Sequence, residues 1–114
     1  MNEQLKQLQE NPDISNIRIQ HLRRGLINGK DIIMAPLHTL KLFRQANQDV
    51  DILSNGGITT VEISDIYGQT AVGISRCHVN DVFNREQGLQ KALGLAKANF
   101  EVNQRSQRLG LVSE

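Results

Sequence analysis

The sequence predicts an α+β fold: a small antiparallel sheet packed on a long C-terminal helix, with a shorter helix in the middle. Three patterns predict it. Ile17 and Ile19 alternate with Arg18 and Gln20, and Val61 and Ile63 alternate with Thr60, Glu62 and Ser64; a period of two marks half-buried strands. Leu89, Ala92, Leu93, Ala96 and Phe100 recur at three- and four-residue steps, which places them on one helix face. Asp65-Ile66-Tyr67-Gly68 lies between two strand-like runs and suits the turn of an antiparallel hairpin.

The elements follow in order. Asn2 to Gln9 has helical composition but only Leu5 and Leu8 as apolar positions, so it reads as a loose N-terminal helical arm over residues 1–13. Docking on a partner subunit is the alternative. Ile14 to Leu22 is the first strand, closed by His21 to Arg24, with Gly25 and Asn28-Gly29 as turn chemistry. Asp31 to Ala35 is a strand or a buried turn, stopped by Pro36. Leu37, Leu40, Phe43 and Ala46 then favour a helix over Leu37 to Gln48, with Pro36 near its first turn. Asp49 to Leu53 reads as short extended chain. Ser54-Asn55-Gly56-Gly57 is the strongest loop signal. Strands follow at Thr59 to Ser64 and Thr70 to Cys77, the latter placing Val72, Ile74 and Arg76 on one face. Asn80 or Asp81 caps a helix starting near Val82 and ending between Phe100 and Gln107. The core thus spans 14–105, and 106–114 is a tail, frayed from Gly110 on. The apolar stripe of the last helix is a candidate dimer surface. Gly88 and Gly94 interrupt that helix at about 1 kcal/mol each, as close approach of another backbone, a ligand or the chain's own sheet would require.

Composition narrows the function classes. At 114 residues the chain has the length of one domain and needs no disulfides to hold a core. Thirteen basic residues against 12 acidic give a net charge of +1, which argues against a coat for long nucleic acid. With no Trp and 4% aromatic residues, broad stacking platforms for single strands are not expected. The single cysteine, Cys77, excludes an intramolecular disulfide and Cys-rich zinc sites. The polar start has no signal-peptide character, and no apolar run approaches the roughly 20 residues of a membrane span. A cytoplasmic protein in a reducing setting is expected, with no cofactor and no metal.

Few residues carry recognisable chemistry. Cys77-His78 invites a nucleophile or metal reading, but neighbours in a strand point to opposite faces. The plainer reading is a buried Cys and a His lining a loop. Asp81/Glu86 and Asp49/Asp51 read as cap or surface charges, and Gly56-Gly57 alone is no phosphate loop. No enzyme is expected. The arginines carry more. Arg76 on a face with Val72 and Ile74 is an unusual place for a charge; Arg85, Lys91, Arg105 and Arg108 lie along the last helix region, and Phe83-Asn84 sits at its N-terminus. A helix N-terminus offers N–H groups to an anion, Arg binds phosphate with a planar fork, Phe stacks on a base, and an Asn amide reads a base edge. Taken singly, Arg76, Phe83 and Asn84 are better explained as an ion pair, a core anchor and a cap.

The block from Gly73 to Gly88, with its Ser75-Arg76-Cys77 triplet and the D-x-F-N-x-x-x-G run Asp81 to Gly88, resembles the Thoeris anti-defence family 1 of phage-encoded cyclic-nucleotide sponges. Gly56 to Val61 is similar to the family's Gly-Gly-x-Thr strand start, and His21 to Arg24 to its first strand. The resemblance covers residues 14–105 and is specific in the D-x-F-N-x-x-x-G block. It implies a protein that sequesters a cyclic ADP-ribose isomer (gcADPR) without cleaving it. Some members also bind cyclic oligonucleotides of the related CBASS defence at a separate site. It implies a homo-oligomer, a dimer or a hexamer built from dimers. Phe83 and Asn84 would contact base or ribose, Arg76 and Arg105 phosphates, with Arg23 and Arg24 as further ligand-binding candidates. Where the family continues with a basic residue and a Gly-Arg pair, this chain reads Gly88-Leu89 and Gly94-Leu95, so those phosphate contacts are not carried over. The alternatives are a protein-binding inhibitor of a host defence complex, anti-CRISPR-like, and a nucleotide hydrolase, which would need His78 or His21 beside a carboxylate.

Overall fold

The computed structural model describes residues 3–46 and 48–108, with side chains to 105. Its elements are α1 (Glu3–Gln9), β1 (Ile14–Ile27), β2 (Asp31–Ala35), α2 (Leu37–Gln45), β3 (Val50–Ile52), β4 (Asn55–Asp65), β5 (Thr70–Val82) and α3 (Arg85–Arg108). The α+β expectation holds. The five strands form one antiparallel sheet in the order β2-β1-β4-β5, with β3 also on β1. Helix α3 lies along one face.

The core forms where that helix meets the alternating strands. Val61 and Ile63 of β4 and Ala71 of β5 pack against Ala92, Leu93, Ala96 and Phe100 of α3. Gly73 lets the two layers meet: a Cβ there would overlap the Ala92 carbonyl oxygen and the Ala96 nitrogen. Burial of a side chain such as Leu93, fully enclosed here, contributes about 1.5–3 kcal/mol. The stripe on α3 is therefore covered by the chain's own sheet, which corrects its expectation as a dimer surface. Val72 and Ile74 lie on the opposite sheet face, which no helix covers among the described residues, and are each 42% exposed. Arg76 is exposed as well and does not sit in an apolar layer.

Several boundaries differ from expectation, each for a packing reason. The N-terminal segment is not loose, because Leu8 is buried in the core and Leu5 packs against it. Gly25 is no turn. β1 runs through it because β2 and β3 flank its far half, pairing Gly25 with Ile33 and Ile52. A Cβ at Gly25 would come within 2.7 Å of Leu40 Cδ2 of α2, so the glycine admits that helix. The chain turns at Asn28-Gly29, at φ of 54° and 66°, the positive values a tight hairpin demands. Ser54 to Gly57 is not a free loop either, since β4 begins at Asn55. Helix α3 starts at Arg85, three residues later than expected. The reason is that β5 stays paired as far as Val82, opposite Asn55. The frayed tail from Gly110 lies outside the described residues.

Candidate functional site

The site grows from a mismatch between β4 and β5. Gly57 pairs with Cys77 and Asn55 with Val82, so the four residues His78 to Asp81 of β5 stand opposite the single Gly56 of β4, and the longer strand buckles there. The Cys77 thiol sits inside the buckle, 3.5 to 3.7 Å from the carbonyl oxygens of His78, Asp81 and Val82. Gly56 and Gly57 absorb the distortion at φ of 76° and 124°, values that favour glycine.

Beyond the buckle the chain is fixed before α3 begins. The Phe83 N–H donates to the Ser54 carbonyl at 2.8 Å. The Phe83 ring covers Gly57 where a side chain would otherwise stand. His21 meets that ring edge-on at 5.9 Å, and the Arg23 guanidinium lies 5.0 Å from its centroid, within cation–π range. Arg23 is held further by Nη2 donating to the Leu53 carbonyl at 3.2 Å, while its Nε is buried without a partner. Asn84 caps α3, its Oδ1 accepting the Gln87 N–H at 3.0 Å. Gly88 sits over Thr59, whose Oγ1 a Cβ would crowd, so this glycine serves the chain's own packing. Gly94 has open space around it, and nothing in the structure accounts for it.

Two cavities flank Phe83. The first, about 450 Å³, is lined by Arg76, Phe83 and Asn84, together with Gln87, Gly88 and Lys91 along α3. The second, about 380 Å³, is lined by Arg23, Lys41, Arg85, His21, His38 and Phe83, among others. Both volumes fall in the range of roughly 300–1,000 Å³ typical of small-molecule pockets. Arg76, Phe83 and Asn84 are thus brought together, and Arg23 joins them from the far side of the Phe83 ring. Two expected residues are not. The Arg24 side chain lies against Gly56, with Nη1 donating to the Asn55 carbonyl at 3.4 Å, where it clamps the start of β4. Arg105 stands near the other end of α3, about 30 Å from Arg85 at 1.5 Å per residue.

Lys91 was legible, because Asn84, Gln87, Gly88 and Lys91 share one helix face. Lys41 and His38 were not, since only the docking of α2 beside β1 brings them to Phe83. His21 sits below the ordinary histidine pKa, first because burial disfavours its charge and second because Arg85 is nearby. Its Nδ1 is 2.9 Å from Thr59 Oγ1. His78 accepts the Asn80 N–H through Nδ1 at 3.1 Å and shares the first cavity with Asp81. Among the described residues no three His, Cys, Asp or Glu side chains gather as a metal site, and no helix is long and apolar enough to cross a membrane. The chain matches no protein-family model, no curated protein and no solved structure.

Proposed function

We propose that this chain is a non-enzymatic sponge of the Thoeris anti-defence kind. It binds a cyclic ADP-ribose isomer in the host bacterial cytoplasm, withholds it from its effector and releases it unchanged. The observation that carries the reading is the convergence of Arg76, Phe83 and Asn84 on one cavity at the N-terminus of α3. The helix dipole and the first-turn N–H groups favour an anion there. Arg76 and Lys91 add positive charge, and Phe83 offers a stacking surface. Because Asn84 Oδ1 is engaged by Gln87, the group it presents to a ligand is its Nδ2 donor. His21 has a hydroxyl and an aromatic edge as neighbours rather than a carboxylate, whereas His78 shares the cavity with Asp81, so the mass of the released ligand separates holding from turnover. Assembly as a homo-oligomer, and a separate cyclic-oligonucleotide site, belong to the same proposal.

The test is calorimetric titration with cyclic ADP-ribose isomers and with cyclic di- and trinucleotides, followed by heat release and mass analysis. The proposal expects tight binding and a released ligand of unchanged mass. A changed mass would mean an enzyme. Absence of binding to every ligand would favour the second reading, a protein-binding inhibitor, for which the exposed Val72 and Ile74 on the uncovered sheet face are the supporting observation.

A further inference from the structure

The second cavity has a composition that the proposed ligand does not use. Arg23 reaches it from β1, Lys41 from α2 and Arg85 from α3, and no carboxylate lines it among the described residues. The chain as a whole balances 13 basic against 12 acidic residues, so this concentration of one sign is local. Like charges brought together repel, and in a fold free to intersperse acids such a cluster marks a place for an anion. The Arg23 guanidinium is already fixed by the Leu53 carbonyl and the Phe83 ring, so little side-chain freedom is lost on binding. The remaining wall combines apolar Ile19, Pro36, Leu37 and Phe83 with the polar groups of Gln20, His21 and His38.

The geometry points to this second cavity as a site for a phosphomonoester, an organic phosphate of mononucleotide size whose dianionic terminal phosphate meets Arg23, Lys41 and Arg85. At pH 7 a phosphomonoester carries a charge of about −1.5 to −2, whereas each bridging phosphate of a cyclic ligand carries one negative charge. Three cations without an acid discriminate in favour of the former. The two arginines supply forked donors and Lys41 a point charge, while Ile19, Pro36, Leu37 and Phe83 offer apolar surface to the organic body. The site is distinct from the first cavity, since its lining includes neither Arg76 nor Asn84, although Phe83 walls both.

The test uses the full chain and adenosine 5′-monophosphate as the probe, with adenosine and inorganic phosphate titrated in parallel. Adenosine 5′-monophosphate is expected to bind at least about tenfold more tightly than adenosine, with Lys41→Gln and Arg85→Gln each weakening it about tenfold or more. Both side chains are exposed, so the variants keep the fold, which circular dichroism verifies. Arg76→Gln is expected to leave the affinity within about twofold, since it removes no contact. The inference is overturned if the monophosphate binds no better than adenosine, if the Lys41 and Arg85 variants bind it unchanged, or if Arg76→Gln abolishes it. Cyclic ADP-ribose isomers run on the same variants separate this outcome from failure of the sponge reading, which would show as no cyclic ligand bound by the wild type.

Discussion

Single residues set the most sharply testable properties. Asp65 is buried, and its Oδ1 accepts the N–H groups of Tyr67 and Gln69 at 2.9 and 2.8 Å, which closes the β4–β5 turn. Asp65→Ala leaves both donors without that acceptor and is expected to lower stability by about 1–3 kcal/mol in urea unfolding. His21 gives a pH dependence of known sign. Its folded pKa is below 6.5 because of burial first and Arg85 second, so the unfolded chain binds the proton more readily. Its contribution is present in full above the unfolded pKa and is lost as pH falls through 6.5 toward the folded value. His21→Gln is therefore expected to lose less stability than the wild type between pH 7.5 and 5, measured as the shift of the urea midpoint. Equal shifts would mean that His21 titrates alike in both states. The residues of the first cavity were partly legible, because Phe83 and Asn84 adjoin the start of a strongly patterned helix. Arg105 entered through the family resemblance alone, and the 1.5 Å rise per helical residue sets it about 30 Å from the start of α3.

At the scale of elements, the contact between α3 and the sheet decides most of the fold. Gly73 and Gly94 form a matched pair of tests. Gly73→Ala would drive a methyl group into the α3 backbone and is expected to cost about 3 kcal/mol. Gly94→Ala meets open space and is expected to stabilise by up to about 1 kcal/mol through helix propensity. Thermal unfolding of the two variants reads both signs at once. Strand and helix identities were visible in periodicity, but their ends were not. Gly25 and Gly56-Gly57 carry turn-like chemistry, yet one admits Leu40 and the others absorb the β5 buckle. Glycine in sequence does not distinguish a turn from a close approach, because both ask only for a missing Cβ.

The whole molecule is long, 53 × 27 × 22 Å, with a radius of gyration of 17.1 Å, against about 13 Å for a compact chain of this length. Among the described residues, α3 covers one sheet face and no helix covers the other, and β5 ends the sheet order, with Asn99 Nδ2 donating to its Val72 carbonyl at 2.8 Å. The two-layer architecture followed from the sequence. The strand order did not, because β1 pairs with β4 across a long intervening segment that no local pattern encodes. That long-range pairing is also what brings His21 and Arg23 to Phe83 and so makes the second cavity. The account rests most heavily on Phe83, which walls both cavities. The most direct test is calorimetric titration of wild type and Phe83→Ala with cyclic ADP-ribose isomers, the fold of the variant checked by circular dichroism. The account predicts tight binding of one isomer by the wild type, weakened at least about tenfold, or 1.4 kcal/mol, in a folded Phe83→Ala. Equal affinity in the two proteins, or no binding by the wild type, would contradict it.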